Sequence, residues 1–591
     1  MDRQHPVFTI QTECHDCYKC VRQCPVKAIR VEDGHAAIIP ELCIACGHCL
    51  KVCPSRAKRV RDDIGRARLL LSGTEPVYAS IAPSWVSEFS GIRREILFST
   101  LRRLGFAGVS ETALGANLVS FQMVEEMKTM TGGALISSAC PAAVEFIARY
   151  LPDFRDSLSK VPSPALVHCQ MLQKIAGGGK VVFIGPCSAK KLEADRNPQI
   201  MSLALTFQDM RKWLEQDGID LCEDFPGRSG SPDVSGESDE SAEPGSGSLY
   251  PVPGGMIETL RMNDSSLPMF QITGLANLER YLAGIDPAKL INPVFLEVLA
   301  CEGGCLEGPC MSDSRCGLMA ALEVYRVAGV AESGELSGSL NAAHFSSGIK
   351  SAGSLPARYY SKNHEEPMIR RALARVGKTT PEDELNCGGC GYDTCRNFAS
   401  ALLEEKAEPA MCASWMRRRA ARKANALLRC IPSGVVIVDS NLDIIECNKS
   451  FAGMFGRDIE LVFEARPGMT GARICRILPL EELFRAALRT GQDISREHLP
   501  LGERLFHITI FTIDPAQTIG VIVRDVTETE TRREQIACRA REVIQKNLQT
   551  VQEIACRLGE HMADTEILLS SIAEDYGPGR SSDDTGFGKE G

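Results

Sequence analysis

Two cysteine repeats near the N-terminus constrain this chain more than any other feature in it. Cys14, Cys17, Cys20 and Cys24 are spaced C-x2-C-x2-C-x3-C and followed by Pro25; Cys43, Cys46, Cys49 and Cys53 repeat the spacing and are followed by Pro54. So tight a loop can aim three thiolates at one cube, and thiolates are soft ligands suited to iron–sulfur clusters. A pair of zinc sites is the weaker reading, because the whole unit is doubled with both of its prolines. Cys387, Cys390, Cys395 and Cys412 make a further group, C-x2-C-x4-C-x16-C, inside Asn386-Cys387-Gly388-Gly389-Cys390-Gly391. Its glycines free the backbone to wrap closely around a cluster. Zinc stays open there as the alternative metal.

Length and charge narrow the setting. At 591 residues the chain is too long for one domain and suggests about four. A net charge of −10 argues against a general nucleic-acid binder. Met1-Asp2-Arg3-Gln4-His5 has no signal-peptide layout, and no apolar run reaches the roughly eighteen residues of a membrane span. The expectation is a cytoplasmic protein that engages neither membrane nor nucleic acid. In that reducing compartment clustered cysteines bind metal or do redox work rather than form disulfides.

Along the chain, residues 1–62 hold the two repeats. From about 75 to 365, apolar runs such as Val77–Ala82 and Val181–Ile184 alternate with helical-period segments, an α/β pattern. Residues 227–248, rich in Gly, Ser, Pro and acid, read as a disordered insertion into that block. Residues 370–430 carry the third cysteine group and then a basic helix through Arg417, Arg418, Arg419, Arg422 and Lys423. Strand signals follow at Gly434–Val438, Ile444–Cys447, Leu505–Ile513 and Thr518–Arg524, inside a domain spanning 431–528. In 529–576, Ile544, Leu548, Val551, Ala555, Leu558, Met562, Leu569 and Ile572 step by four and three, missing only at Thr565. That is a coiled-coil seam, or else an amphipathic helix packed on its own domain. Residues 577–591 read as a disordered tail.

A last set of four cysteines is dispersed: Cys140 in Ser137-Ser138-Ala139-Cys140-Pro141, Cys187 in Gly185-Pro186-Cys187-Ser188-Ala189-Lys190-Lys191-Leu192-Glu193, and Cys301 with Cys305 in Cys301-Glu302-Gly303-Gly304-Cys305. Spacing alone does not unite them. These stretches resemble the three signature segments of iron-iron hydrogenases, over roughly residues 76–360, and the preceding repeats resemble the two-cluster ferredoxin domain that the family places there. The resemblance implies an H-cluster: a 4Fe-4S cube joined through one cysteine to a diiron unit with CO, cyanide and a dithiolate bridge. Cys140, Cys187, Cys301 and Cys305 would hold the cube, with Cys305 bridging. Lys190 and Ser84 would hydrogen-bond cyanide, and Ala82, Pro83 and Pro186 would line the cofactor. In two-cluster ferredoxins the fourth ligand crosses over. Cys14, Cys17, Cys20 and Cys53 would then share one 4Fe-4S cluster, and Cys43, Cys46, Cys49 and Cys24 the other. The Cys387–Cys412 group would hold a third, giving sixteen ligands among 25 cysteines.

The chain departs from the fast members of that family in its proton path. Where they carry two adjacent cysteines, it has Ala139-Cys140. A thiol exchanges protons near neutrality and an alanine does not. Losing a positioned acid/base group costs about 10²- to 10⁴-fold in rate. Glu126 and Ser159 match two of the remaining relay positions, with Thr129 at a second acidic one. Two cluster-packing methionines are replaced by Gly185 and Leu299; Gly185 is expected to open space beside the diiron unit. Cys169, Cys310 and Cys316 are candidate substitute proton donors.

Residues 431–526 resemble a PAS domain, a sensory and dimerising module, in Ile431-Pro432-Ser433-Gly434-Val435-Val436-Ile437-Val438-Asp439, in Ile445-Glu446-Cys447-Asn448-Lys449-Ser450-Phe451 and in the exit Val523-Arg524-Asp525-Val526-Thr527. Its ligand is unknown from sequence. The expected architecture is multi-domain α+β and α/β: two-cluster ferredoxin domain, α/β H-cluster domain, small 4Fe-4S module, PAS domain and C-terminal coiled-coil helix. The expected function is a sensory iron-iron hydrogenase that binds or slowly oxidises H2 as a weak enzyme. Its expected partners are H2, a ferredoxin or other redox protein, hydrogenase maturation factors, a downstream kinase or phosphatase, and a second copy of itself. The alternatives are a catalytic ferredoxin-linked hydrogenase and a redox-sensing 4Fe-4S protein that lacks the diiron unit.

Overall fold

The structure is a computed structural model and describes residues 4–221, 245–262, 267–312, 317–329, 355–360 and 362–575. It divides into two compact units, Met1–Met416 and Arg417–Gly591.

The first unit begins with the cysteine repeats. Strand β1 (Val7–Thr9) pairs antiparallel with β4 (Lys58–Val60), and β2 (Ile29–Glu32) pairs with β3 (His35–Ile38). The short helices Lys19–Gln23 and His48–Val52 carry the middle of each repeat. Equivalent positions 29 residues apart take the left-handed backbone: Asp16 and Ala45, Tyr18 and Gly47, Lys27 and Arg56. That conformation is uncommon outside glycine. It recurs here because each loop must turn three cysteines inward within seven residues.

The α/β block is built from two parallel sheets. One has the order β6-β5-β8-β9, where β5 is Val77–Ile81, β6 is Gly108–Glu111, β8 is Lys180–Gly185 and β9 is Leu203–Thr206. The other has the order β10-β11-β7, where β7 is Ala134–Ile136, β10 is Met269–Thr273 and β11 is Val294–Leu299. Apart from the edge strand β10, whose Phe270 and Gln271 are exposed, their strands are buried on both faces, as parallel sheets covered by helices require, so they read as apolar runs rather than alternations. A buried charge cluster ties the repeats to this block. Lys191 donates to Asp63 (2.9 Å) and Asp209 (2.6 Å), and Arg61 pairs with Asp63 and Asp195.

The expected insertion 227–248 needs correcting at its end. Residues 227–244 lie outside the described residues, but Gly245–Leu249 forms a 3-10 turn whose Ser246, Gly247 and Ser248 are buried. Gly247 fits because a Cβ there would lie 2.2 Å from the Ala113 carbonyl. A polar, small-residue composition marks close backbone packing here rather than solvation. The tail 577–591 also lies outside the described residues.

In the second unit, five antiparallel strands run in the order β13-β12-β16-β15-β14. Here β12 is Gly434–Asp439, β13 Ile444–Cys447, β14 Ile494–Leu501, β15 Arg504–Asp514 and β16 Thr518–Asp525. Asn448 locks the entry: its side chain accepts from Phe451 and Val435 (2.9 Å each) and donates to the Ser433 carbonyl (2.9 Å). Strand β14 carries no strand signal in the sequence. It is an exposed edge with Arg496, Glu497 and Pro500, which suits an edge that must not pair further. The last helix runs Thr527–Asp575, and the seam residues named above from Ile544 to Ile572 lie in solvent, Leu548 58% and Leu558 59% exposed. The seam therefore does not pack on the described residues of its own domain, which only the first turn touches, through Thr527 and Glu530.

Candidate functional site

The carboxyl ends of β5, β7, β8 and β11 converge on one cavity of about 100 Å³. Ligand sites of open α/β sheets lie at such strand ends, where loops leave the sheet and helix N-termini begin. Each strand delivers a segment singled out in the sequence. β5 supplies Ala82, Pro83 and Ser84, and β7 supplies Ala139 and Cys140. β8 supplies Pro186, Cys187 and Lys190, and Leu299 and Cys305 follow from β11. Three dispersed motifs thus become one wall.

The four cysteines are mutual electrostatic neighbours. Burial pushes the Cys301 thiol well up, reinforced by Cys187, Cys140 and Cys305; burial does the same to Cys305, with Cys140 and Cys187 next. A set of buried sulfurs that raise one another's protonation is stabilised by a cation they can share, so the donor set fits an iron–sulfur cube. Ser84 supplies a second sign of fit. Its hydroxyl is buried against the cavity and has no hydrogen-bond partner among the described residues. A buried orphan hydroxyl is costly unless something bonds it. Lys190 also lines the cavity, its ammonium held by Ser163 (2.9 Å) and Glu193 (2.7 Å) and lying 5.7 Å from the centre of the Phe183 ring.

In the two repeats the thiols have electrostatic neighbours in both loops. Burial pushes Cys20 up, and the thiols that add to it are Cys53, Cys14 and Cys17. Cys43 is pushed up to about 12 by burial, with Cys46 and Cys24 adding; Cys49 responds to burial, then to Cys43 and Cys24. Backbone N–H groups point at these sulfurs, Ala28 at Cys24 (3.3 Å) and Ala45 at Cys43 (3.4 Å). Such bonds stabilise thiolate charge. The second set abuts the α/β cavity, since Ser188, next to Cys187, donates to the Ala45 carbonyl at 2.7 Å. Cys187 adds to the upward push on Cys46, after burial, Cys24 and Cys49. In the third group, Cys390 is pushed up by burial and then by Cys412 and Cys387, while Cys395, at the start of the helix Cys395–Leu403, is buried in a separate apolar cluster with Ile369 and Leu373.

The proton-path residues are placed less directly. Ser159 donates to Glu126 at 2.5 Å, so the structure brings that pair together, but neither lines the cavity of Ala139. Thr129 instead caps its own helix by donating to the Glu126 carbonyl. Cys169 and Cys310 are fully buried and do not line the cavity, although Cys310 donates its N–H to the Pro186 carbonyl at 3.1 Å and Cys169 has Lys190 as an electrostatic neighbour; Cys316 lies outside the described residues. Gly185 does not open space. A Cβ there would sit 2.6 Å from the Phe183 ring, so an aromatic two residues earlier already fills the volume.

Phe183, Tyr250 and Thr112, all on the wall, were not foreseen from the sequence. Thr112 begins a buried chain through Ser80 (2.8 Å) and His168 (2.7 Å) to Ser110 (3.1 Å). Burial lowers His168 to about 3, which keeps it neutral. Glu297 was missed too. Burial raises its carboxyl to about 7, one oxygen accepts from Ile257, and the other has no partner among the described residues. Its only sequence signal is an acid inside an apolar strand, Val294-Phe295-Leu296-Glu297-Val298-Leu299.

Comparison with known families settles which fold this cavity belongs to. Residues 75–309 match the family model "Iron only hydrogenase large subunit, C-terminal domain". This chain carries an iron-only hydrogenase large-subunit domain. Residues 7–54 match a 4Fe-4S dicluster domain, 383–414 a family described as "Putative Fe-S cluster", and 428–531 a PAS fold. Among relatives, the chain is 26% identical over 271 residues to the NADP-reducing hydrogenase subunit HndD of Solidesulfovibrio fructosivorans, covering 36% of this chain and 44% of that one. It is 22% identical over 270 residues to iron hydrogenase 1 of Clostridium pasteurianum, with the same coverages. It is 29% identical over 198 residues to the cytosolic Fe-S cluster assembly factor NAR1 of Encephalitozoon cuniculi, covering 30% of this chain and 52% of that one. The chain thus spans about half the length of the relatives it matches. A solved FeFe hydrogenase HydA1 from Chlamydomonas reinhardtii aligns at 18% identity and a TM-score of 0.35, over 45% of this chain and 88% of that one. No helix among the described residues is long and apolar enough to cross a membrane. In the hydrogenase domain the cavity wall keeps the polar residues that would face a diiron unit, Ser84 and Lys190, and has an alanine at position 139.

Proposed function

We propose that this chain is a cytoplasmic sensory iron-iron hydrogenase that binds or slowly oxidises H2 and passes its redox state through a PAS domain to a partner protein. The observation that supports the reading is the cavity wall: Cys140, Cys187, Cys305, Ser84 and Lys190 line it, and so does Ala139, at the position where the resemblance calls for a proton-carrying thiol. A diiron unit in that cavity would supply heterolytic H2 cleavage. The chain's own residues would do the rest. Cys140, Cys187, Cys301 and Cys305 would hold the cube and its bridge, and Ala82, Pro83 and Pro186 would close the apolar wall against water. The Ser84 hydroxyl and the Lys190 ammonium would donate to anionic ligands, a charge-assisted bond in the case of Lys190. Glu126 and Ser159 retain a proton-bearing pair, and Ala139 leaves it unconnected to the cavity.

The other cysteine sets would hold three 4Fe-4S clusters that accept the electrons and exchange them with a ferredoxin or other redox protein. Maturation factors would install the diiron unit. The PAS domain and the exposed heptad seam of the last helix support a homodimer, with a kinase or phosphatase as the downstream partner; the PAS ligand is unassigned. Replacing Ala139→Cys should raise H2 turnover by up to about 10²- to 10⁴-fold, the worth of a positioned acid/base group. Unchanged turnover, or a wild type that is already fast, would remove the sensory assignment. A second reading, a 4Fe-4S protein that never receives the diiron unit, is favoured by the similarity to the cluster assembly factor NAR1. The orphan hydroxyl of Ser84 and the retained Lys190 weigh against it.

A further inference from the structure

The third cysteine module is packed on the first. Lys27 donates to the Gly391 carbonyl at 3.0 Å, Val31 donates its N–H to the Lys406 carbonyl at 3.0 Å, and Gly34 donates to Glu408 at 3.3 Å. Between these polar ties the contact is apolar. Val21, Tyr392, Phe398 and Met411 form one buried cluster that also contains Cys20 and Cys412. The approach is as close as backbone allows. Gly391 has φ +95°, and a Cβ there would lie 3.0 Å from Val21 Cγ1 and 3.3 Å from the Arg22 nitrogen.

The partner surface is the Lys19–Gln23 helix, which carries Cys20 and leads directly into Cys24. Those two cysteines belong to different sets of the crossed pattern. The cluster loop of the third module therefore abuts an element that serves both ferredoxin sites, as the His48–Val52 helix, with Cys49 and Cys53, also does. Tyr392 lies in the junction. It is 5% exposed, its hydroxyl has no partner among the described residues, and after burial its nearest electrostatic influences include Cys390 and Cys24. A buried apolar junction between redox sites limits how far the surroundings reorganise when charge moves.

We propose that the Cys387–Cys412 site receives its electrons directly from the ferredoxin sites across the Val21–Gly391–Tyr392 junction, so that it is the outlet of one continuous electron route. The inference rests on reading these cysteine sets as iron–sulfur sites. In each transfer a ferredoxin site is oxidised by one electron and the Cys387–Cys412 site is reduced by one. No bond is made or broken, and the electrons originate from H2 or another low-potential reductant. Gly391 and Tyr392 act as positioning residues, setting separation and excluding water.

The test uses the full chain reconstituted with iron and sulfide and without a diiron unit, so it is independent of whether H2 is a substrate. Electron paramagnetic resonance of the dithionite-reduced protein should show lines broadened by coupling between the third site and the ferredoxin pair. The Cys387→Ala/Cys390→Ala variant should lose about a third of the non-H-cluster iron and that extra broadening. Gly391→Val, or the gentler Gly391→Ala, should keep the iron and weaken the coupling. A wild-type spectrum that is the plain sum of the cysteine variant's spectrum and an isolated cluster would overturn the proposal. So would iron content unaffected by the cysteine changes, or coupling unaffected by both Gly391 variants.

Discussion

Gly185 shows how far single residues can be read without their neighbours. A glycine at a position where a large side chain would touch the diiron unit looks like a vacancy, yet the Phe183 ring stands 2.6 Å from where its Cβ would be. The pair is one packing solution split over two positions of β8. Two residues apart on a strand, side chains share a face, so the exchange is physically available but invisible to motif matching. Gly185→Met alone should therefore clash with Phe183 and lower the melting temperature, while Phe183→Ala with Gly185→Met should recover most of the loss. If the single variant melts like wild type, the ring is not the occupant. Ala139 is the opposite case. Its meaning lies in an atom that is absent, and the wall around it confirms only that the position faces the cavity.

At the scale of elements, what could be read from the sequence followed from repetition and periodicity. The cysteine loops, the opening PAS strands and the 3.5-residue seam all repeat a spacing that geometry demands. The elements that escaped had no period to show: β14 is a charged edge strand, and Gly245–Leu249 is a buried turn written in solvent-like residues. The convergence of four strand ends at one cavity depends on strand order, β6-β5-β8-β9 beside β10-β11-β7, which no local pattern encodes. The last helix makes the sharpest prediction at this scale. Its seam is 51% to 68% exposed at Ile544, Leu548, Val551, Leu558, Met562, Leu569 and Ile572. A second copy would cover it, and Leu558→Glu, at the middle, should convert a dimer to a monomer in sedimentation equilibrium. A wild type that sediments as a monomer would leave that stripe without its proposed occupant.

At the scale of the first unit, one buried charge network, which the sequence shows only as scattered acids and bases, ties the cysteine repeats to the α/β block. Burial alone would push the Asp63 carboxyl up; the Lys191 ammonium, together with Arg61 and Arg66, overrides it and holds the carboxyl below its usual range. A carboxyl with a depressed folded value stabilises the fold above its unfolded value, near 3.9, and loses that contribution as pH falls through the folded one. Asp63→Asn leaves Lys191 with Asp209 alone and should cost about 3–5 kcal/mol, the usual penalty for breaking a buried pair. Denaturation of the variant should also lack the wild type's loss of stability below about pH 4. Equal stability at neutral pH would show that the network does not dock the ferredoxin domain.

All of these elements serve one claim, that the cavity at the ends of β5, β7, β8 and β11 takes up a diiron unit. Infrared spectroscopy of the full chain, treated with the hydrogenase maturation factors, tests it most directly. CO and cyanide bands should appear, shift under H2, and disappear in a Cys305→Ala variant that still holds its other iron. Matured protein that carries its iron–sulfur clusters and shows no such bands would contradict the account.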